Sequence, residues 1–178
     1  AYLIPIVEWA IKNKKRVVIS TNTINLQEQL LNKDIPIAKK VVQGDFRYIL
    51  VKGRGNYLCN RKYFNLALGE NVNFEEFSNS QKTQFKEIIS WGKKTEKGDK
   101  SELPFEVDNS VWELFQSETD ICAGAKCPYK GECFFLKSRE EKKNADILIT
   151  NHHMYFSDLA IRKEIGFNTE YSILPEYG

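Results

Sequence analysis

Lys14-Lys15-Arg16-Val17-Val18-Ile19-Ser20-Thr21-Asn22-Thr23, residues 14–23, is the stretch that decides the fold class of this 178-residue chain. Three consecutive β-branched residues make the short apolar run expected of a buried parallel strand. Upstream, Leu3, Ile6, Val7 and Ala10 fall on one helix face, and Lys12, Lys14, Lys15 and Arg16 close that helix. Downstream, the hydroxyl and amide side chains of residues 20–23 are helix-cap formers. Asn25-Leu26-Gln27-Glu28 has the N-x-x-E form of a capping box ahead of Leu30 and Leu31. Pro36 marks the far side of this second helix or the start of another, and Tyr48-Ile49-Leu50-Val51 reads as the next strand. Helix, strand, helix, strand is the pattern of α/β layering.

Beyond Lys52 the period changes. Phe85, Ile88 and Ile89 share a helix face, Val111, Trp112, Leu114 and Phe115 make an apolar knot, and the polar, glycine-containing run Lys93 to Ser101 lies between them. No convincing strand occurs there, so residues 53–143 are read as an α-helical insertion. Ala145 to Thr150 restores a strand pattern, with Asn151 as the cap of a helix running through Leu159. The expected plan is therefore 1–52, 53–143 and 144–178, with the third segment continuing the first. No internal repeat or low-complexity tract interrupts it.

The insertion holds all four cysteines of the chain: Cys59, then Cys122, Cys127 and Cys133 in a C-x4-C-x5-C run. Gly124, Pro128 and Gly131 allow the sharp turns that bring three thiols of one short segment together. The segment Tyr2 to Ile11 is interrupted by Pro5 and Glu8 and falls far short of the roughly 20 apolar residues that span a bilayer. It also lacks the basic start and cleavage site of a signal peptide. Disulfides are rare where no secretion signal exists, so a metal or cluster site is the preferred reading over two bridges or unligated thiols.

With 42% apolar and 28% charged residues the chain has the composition of a globular protein with one core and a smaller subdomain. Its formal net charge of +2 points to no particular partner. The distribution is more telling. Lys52, Arg54, Arg61 and Lys62 lie in a stretch without acidic residues, Lys126 to Lys143 carries six basic against three acidic residues, and Glu102 to Asp120 carries six acidic and no basic ones. Both basic stretches flank cysteines. Arg54, Tyr57, Arg61, Lys62 and Tyr63 interleave cations with aromatics, as a groove for single-stranded nucleic acid does; the simpler reading has Tyr57 packed internally and the charges solvated.

Three ordered segments carry a resemblance. They are Val18-Ile19-Ser20-Thr21-Asn22-Thr23 with Leu26-Gln27-Glu28-Gln29-Leu30, then Lys52-Gly53-Arg54-Gly55-Asn56-Tyr57-Leu58-Cys59, then Ile149-Thr150-Asn151-His152. Together with the cysteine spacing they resemble the DinG and XPD-like iron-sulfur DNA helicases of superfamily 2, the bacterial DinG branch most of all. The resemblance implies a partial RecA-like parallel-sheet motor domain, residues 1–52 and 144–178, interrupted by a mainly α-helical iron-sulfur domain, residues 53–143. It implies that Cys59, Cys122, Cys127 and Cys133 bind a 4Fe-4S cluster, which thiolates suit. Structural zinc suits the same ligands and remains the rival, although it more often shows paired short spacings. Thr21 and Asn22 look like part of a helicase motif that contacts the DNA backbone, where hydroxyls and amides at a helix start suit phosphate oxygens. Asn151 and His152 resemble the family's T-N-H segment at the DNA-facing edge. Arg54, Arg61 and Lys62 are the further candidate DNA contacts.

Helicase chemistry needs a glycine-rich phosphate loop and an acidic magnesium motif, and the sequence contains neither. Ala1 to Pro5 resembles the family's segment just after the phosphate loop, and Ile173 to Gly178 its segment just ahead of the D-E-A-H box. No catalytic residue is therefore assigned. The resemblance implies a fragment inactive alone, from a parent ATP-dependent, 5′ to 3′ DNA helicase of the bacterial cytoplasm that uses ATP and magnesium in repair or replication. The implied partners are single-stranded, fork or loop DNA, with no membrane, and exposed sheet edges invite self-association. The alternative is a non-enzymatic, redox-sensing DNA-binding module holding a cluster or zinc.

Overall fold

The run Val17-Val18-Ile19 opens strand β1 (Val17–Thr21), which in the computed structural model lies in a parallel sheet with β2 (Tyr48–Leu50) and β3 (Ile147–Asn151). The structure describes residues 2–69 and 72–164; the Ile173 to Gly178 segment lies outside them. The strand order is β1-β3-β2, so among the described residues the last strand in sequence is the central one of three. Thr21 stands opposite Asn151 and Leu50 opposite Ile149. Ile147, Leu148, Ile149 and Thr150 are all buried, the burial expected of a parallel strand covered on both faces. In β1, by contrast, only Ile19 and Thr21 are buried, because among the described residues this strand is an edge.

Backbone contacts divide the chain into two units, residues 1–52 with 141–178, and residues 53–140. In the first, helix α1 (Leu3–Asn13) places Leu3, Val7 and Ala10 in a core with Ile19, Leu30, Ile35, Ala38, Phe46, Ile147 and Ile149. It ends at Lys14, whose φ of 50° is the left-handed stop that frees Lys15 and Arg16 to lead into β1. Helix α2 (Ile24–Gln29) is capped by Thr23, whose hydroxyl accepts the Leu26 N–H at 3.3 Å, so the expected box at residues 25–28 gives way to a cap two residues earlier. A π turn, Leu30–Asp34, joins α2 to α3 (Ile35–Val41), with Pro36 in the first turn of α3, where its missing N–H is harmless. On the other sheet face Val51, Ala145 and Leu148 pack with Ile49 and Met154. The third strand begins two residues later than its apolar run suggested. The Asp146 N–H instead donates to the Arg47 carbonyl at 2.8 Å, and its carboxylate accepts the Arg47 N–H at 2.7 Å.

The second unit is helical, with α4 (Asn60–Ala67), α5 (Asn79–Gly92), α6 (Asn109–Phe115) and the start of α7 (Phe134–Lys143), which continues into the first unit; α8 (His152–Glu164) then follows β3. The apolar knot behaves as expected: Val111, Trp112 and Phe115 are buried with Leu58, Tyr63, Phe85 and Ile88, while Leu114 packs at the margin. Ser78 and Gln81 form a reciprocal capping box on α5, and Asp108 caps α6 through the Ser110 N–H and hydroxyl.

Gly98 sits where two demands meet. Its φ is +60°, its carbonyl accepts the Leu58 N–H at 2.8 Å, and a Cβ there would collide with the Phe134 ring. Gly98→Ala is expected to destabilise the second unit by about 3 kcal/mol through left-handed strain and overpacking. Urea unfolding followed by tryptophan fluorescence reads this directly; a shift of the midpoint no larger than that of an exposed Gly131→Ala control contradicts it.

Candidate functional site

Cys59 owes its position to an extended segment fixed on both sides. The Cys59 N–H donates to the Phe115 carbonyl at 2.8 Å, the Ser117 N–H donates to the Tyr57 carbonyl at 2.8 Å, and Trp112 Nε1–H donates to the Gly55 carbonyl at 2.7 Å. The cysteine then forms the N-terminal boundary of α4. The other three lie in a loop built from two 3-10 turns, Gly124–Lys126 and Lys130–Glu132, with Cys127 ending the first and Cys133 ending the second just before α7.

Helix α4 touches this loop at three points. Asn60 Nδ2 donates to the Glu132 carbonyl at 3.0 Å, the Arg61 guanidinium donates to the Ile121 carbonyl, and the Phe64 ring stacks on Tyr129 with centroids 4.8 Å apart and planes 21° from parallel. Arg54 lies over the Phe135 ring, 4.3 Å from its centroid, and its positive charge acts on the Cys122 thiol. The Gly124 N–H reaches Cys122 Sγ at 3.5 Å. That N–H, followed by Arg54 and the Arg61 charge, holds the Cys122 thiol below its ordinary value.

None of the four cysteines forms a disulfide. Among the described residues no three His, Cys, Asp or Glu side chains are grouped so as to hold one metal ion. A single zinc needs four sulfurs about 2.3 Å from one point, whereas a cubane distributes them over four irons. Four soft thiol donors and the adjoining guanidinium charges suit an anionic thiolate centre, zinc or cluster alike.

The candidate nucleic-acid contacts divide in two. In the first unit, the C-terminal ends of β1 and β3 bring Ser20–Thr23 beside Thr150–His152, the edge where open α/β sheets bind ligands. Asn22 and Thr23 are exposed, but Thr21 is 6% exposed and turns its hydroxyl to the Thr23 and Thr150 carbonyls. Asn151 caps α8 by accepting the Met154 N–H at 2.7 Å, and exposed His152 meets the Ser20 hydroxyl through Nδ1 at 2.6 Å. In the second unit, Lys62 donates to the Glu113 carbonyl and the Glu118 carboxylate, both at 2.9 Å, and its side chain is 17% exposed. Its hydrogen bond and charge hold the Glu118 carboxyl below the usual range. Lys62 and Arg54 are thus engaged internally, and Tyr57 and Tyr63 are buried. The sequence pointed to no role for Asn60, Phe64 and Tyr129, and it placed Ser20 in a candidate backbone-contact segment without its bond to His152. Asn60 was signalled only by its place next to Cys59, and Phe64 and Tyr129 by nothing local.

Sequence comparison supplies the class. The chain is homologous, over nearly its whole length, to one segment of the DinG-like ATP-dependent DNA helicases. In particular it is 34% identical to the ATP-dependent DNA helicase YoaA of Escherichia coli, and 32% and 30% identical to the DinG helicases of Photobacterium profundum and Mycobacterium tuberculosis, each over 99% of the chain. The chain spans 25–28% of the length of these relatives. No protein-family model matches it. No helix among the described residues is long and apolar enough to cross a membrane.

In the metal-free, reduced chain the Cys122 thiolate is expected to persist to lower pH than its ordinary value, that of the same cysteine in the urea-unfolded chain. Alkylation of Cys122 by iodoacetamide, followed by peptide mass spectrometry across pH, should give a midpoint below that value, which Arg54→Ala moves upward. A midpoint at the ordinary value in the unsubstituted chain contradicts the geometry.

Proposed function

We propose that this chain is the cluster-bearing segment of a DinG-type DNA helicase, residues 53–143 forming its iron-sulfur domain and the parallel-sheet unit contributing to a RecA-like motor domain. The observation that carries this reading is the gathering of Cys59 and the Cys122–Cys133 loop around α4 in a chain homologous to such helicases along 99% of its length. Cys59, Cys122, Cys127 and Cys133 would hold a 4Fe-4S cluster, which supplies a covalent cross-link between α4 and the loop. The chain's own residues do the rest: Arg54 and Arg61 place positive charge beside Cys122, and the Tyr57–Cys59 backbone ties the site to α6.

At the C-terminal edge of the sheet, Asn22, Thr23 and His152 present exposed polar groups suited to the phosphates of a single strand, with Thr21 and Asn151 shaping that edge from within. Arg61 keeps donors beyond the one spent on Ile121 and is the strongest phosphate candidate of the second unit. In the complete protein, ATP and magnesium would drive 5′ to 3′ movement on single-stranded, fork or loop DNA during repair or replication in the bacterial cytoplasm. The present sequence has no G-x-x-x-x-G-K-S/T loop and no D-E-A-H box.

Anaerobic purification followed by metal and sulfide analysis tests the centre. About four iron and four sulfide per chain are expected; one zinc without sulfide would overturn the cluster assignment. Single-strand affinity should be equal with the cluster oxidised or reduced and lost on its removal, whereas a redox-dependent affinity favours the sensing module. Arg61→Ala is expected to weaken binding to all sequences alike and to shallow the salt slope by about one unit, and an unchanged slope removes it from the contacts. ATP turnover by the isolated chain with saturating single strand should stay at background.

A further inference from the structure

We propose that α4 is a clasp that folds the cysteine loop before any metal arrives, with Asn60, Arg61 and Phe64 as its positioning residues. The inference rests on the reading of the four cysteines as ligands, yet its physical content is separate from them. Asn60, Arg61 and Phe64 occupy one side of the first turns of α4, at relative positions i, i+1 and i+4. Their three partners each adjoin a different loop cysteine: Ile121 precedes Cys122, Tyr129 lies two residues beyond Cys127, and Glu132 precedes Cys133. The fourth cysteine, Cys59, begins the helix itself. Every ligand therefore has an anchored neighbour, and none of the anchors uses a thiol.

Two anchors act on backbone carbonyls and fix the main chain directly. Glu132 lies in the second 3-10 turn, so the Asn60 bond sets the direction from which Cys133 enters α7. Asn60 is 8% exposed, and its amide would be costly to leave unpaired, so the bond is strongly determined. The Phe64–Tyr129 stack closes the middle of the loop. Such a clasp lowers the ordering cost that ligands otherwise meet at the moment of metal binding, which is the general function of a supporting shell around a site.

Hydrogen exchange on the reduced, metal-free chain tests this without reference to activity. Amides within residues 121–133 should be protected in the unsubstituted protein. Phe64→Leu should speed their exchange about two- to tenfold, the factor of one aromatic pair, while Phe64→Tyr restores protection and the α5 amides stay unchanged in both. Loop amides exchanging at random-coil rates in the unsubstituted metal-free chain would overturn the clasp, as would equal exchange in Phe64→Leu and the unsubstituted protein. Iron and sulfide uptake, measured on the same samples, separates the two ideas. A protected loop that takes up no cluster supports the clasp and defeats the ligand assignment, whereas uptake by an unprotected loop does the reverse.

Discussion

The extended segment Tyr57–Cys59, hydrogen-bonded along both sides, is the constraint on which the helical unit depends. Leu58 donates to Gly98 while Cys59 donates to Phe115 and Tyr57 accepts from Ser117. These bonds reach residues far along the chain, so they depend on the packing of α5 and α6 around Phe85, Ile88 and Phe115. Once made, they fix the start of α4, and α4 in turn fixes the loop of Cys122 to Cys133. The cysteines are thus positioned by a hydrophobic core that contains none of them. Lys62 and Glu118 add a second tie between α4 and the segment after α6, and its sign with pH is set by the lowered Glu118 carboxyl. That contribution is present above the ordinary glutamate range and is lost as pH falls through the lowered value.

The sheet unit uses the same economy at its C-terminal edge. Parallel pairing of β1 with β3 sets Thr21 against Asn151 across a long sequence separation, and each strand end spends its polar groups on the next element. Thr23 caps α2, Asn151 caps α8, and Ser20 holds His152. A side chain engaged in capping or bridging has a fixed orientation, so this edge presents Asn22 and His152 from a stiff frame rather than from free loops.

How much of this the sequence disclosed depended on the range of the interaction. The α/β class was evident from local runs: Val17–Ile19 and Ile147–Ile149 are apolar and β-branched enough to declare strands. Asn151 as a cap was likewise legible, because capping is satisfied within three residues. For α2 the sequence offered both the cap formers of residues 20–23 and the box at 25–28, and only the extended backbone at Thr23 decides between them. Burial of Thr21 and internal use of Lys62 could not be foreseen, because the partners Thr150 and Glu118 are brought near by the fold alone. For the candidate site, the four cysteines and their spacing stood in plain view, whereas what holds their loop, a helix meeting two backbone carbonyls and a tyrosine, leaves no periodic trace.

The strand order has a consequence for how the chain is made. β1 and β2 pair with β3 and not with each other, and residues 51–146 are synthesised between β2 and β3. At about 5–20 residues per second on the ribosome, β1 and β2 wait several seconds for the strand that joins them to each other. The helical unit, whose core residues run from Leu58 to Phe115, emerges in full during that interval. Birth order therefore lets the inserted unit complete its core before β3 can join β1 to β2.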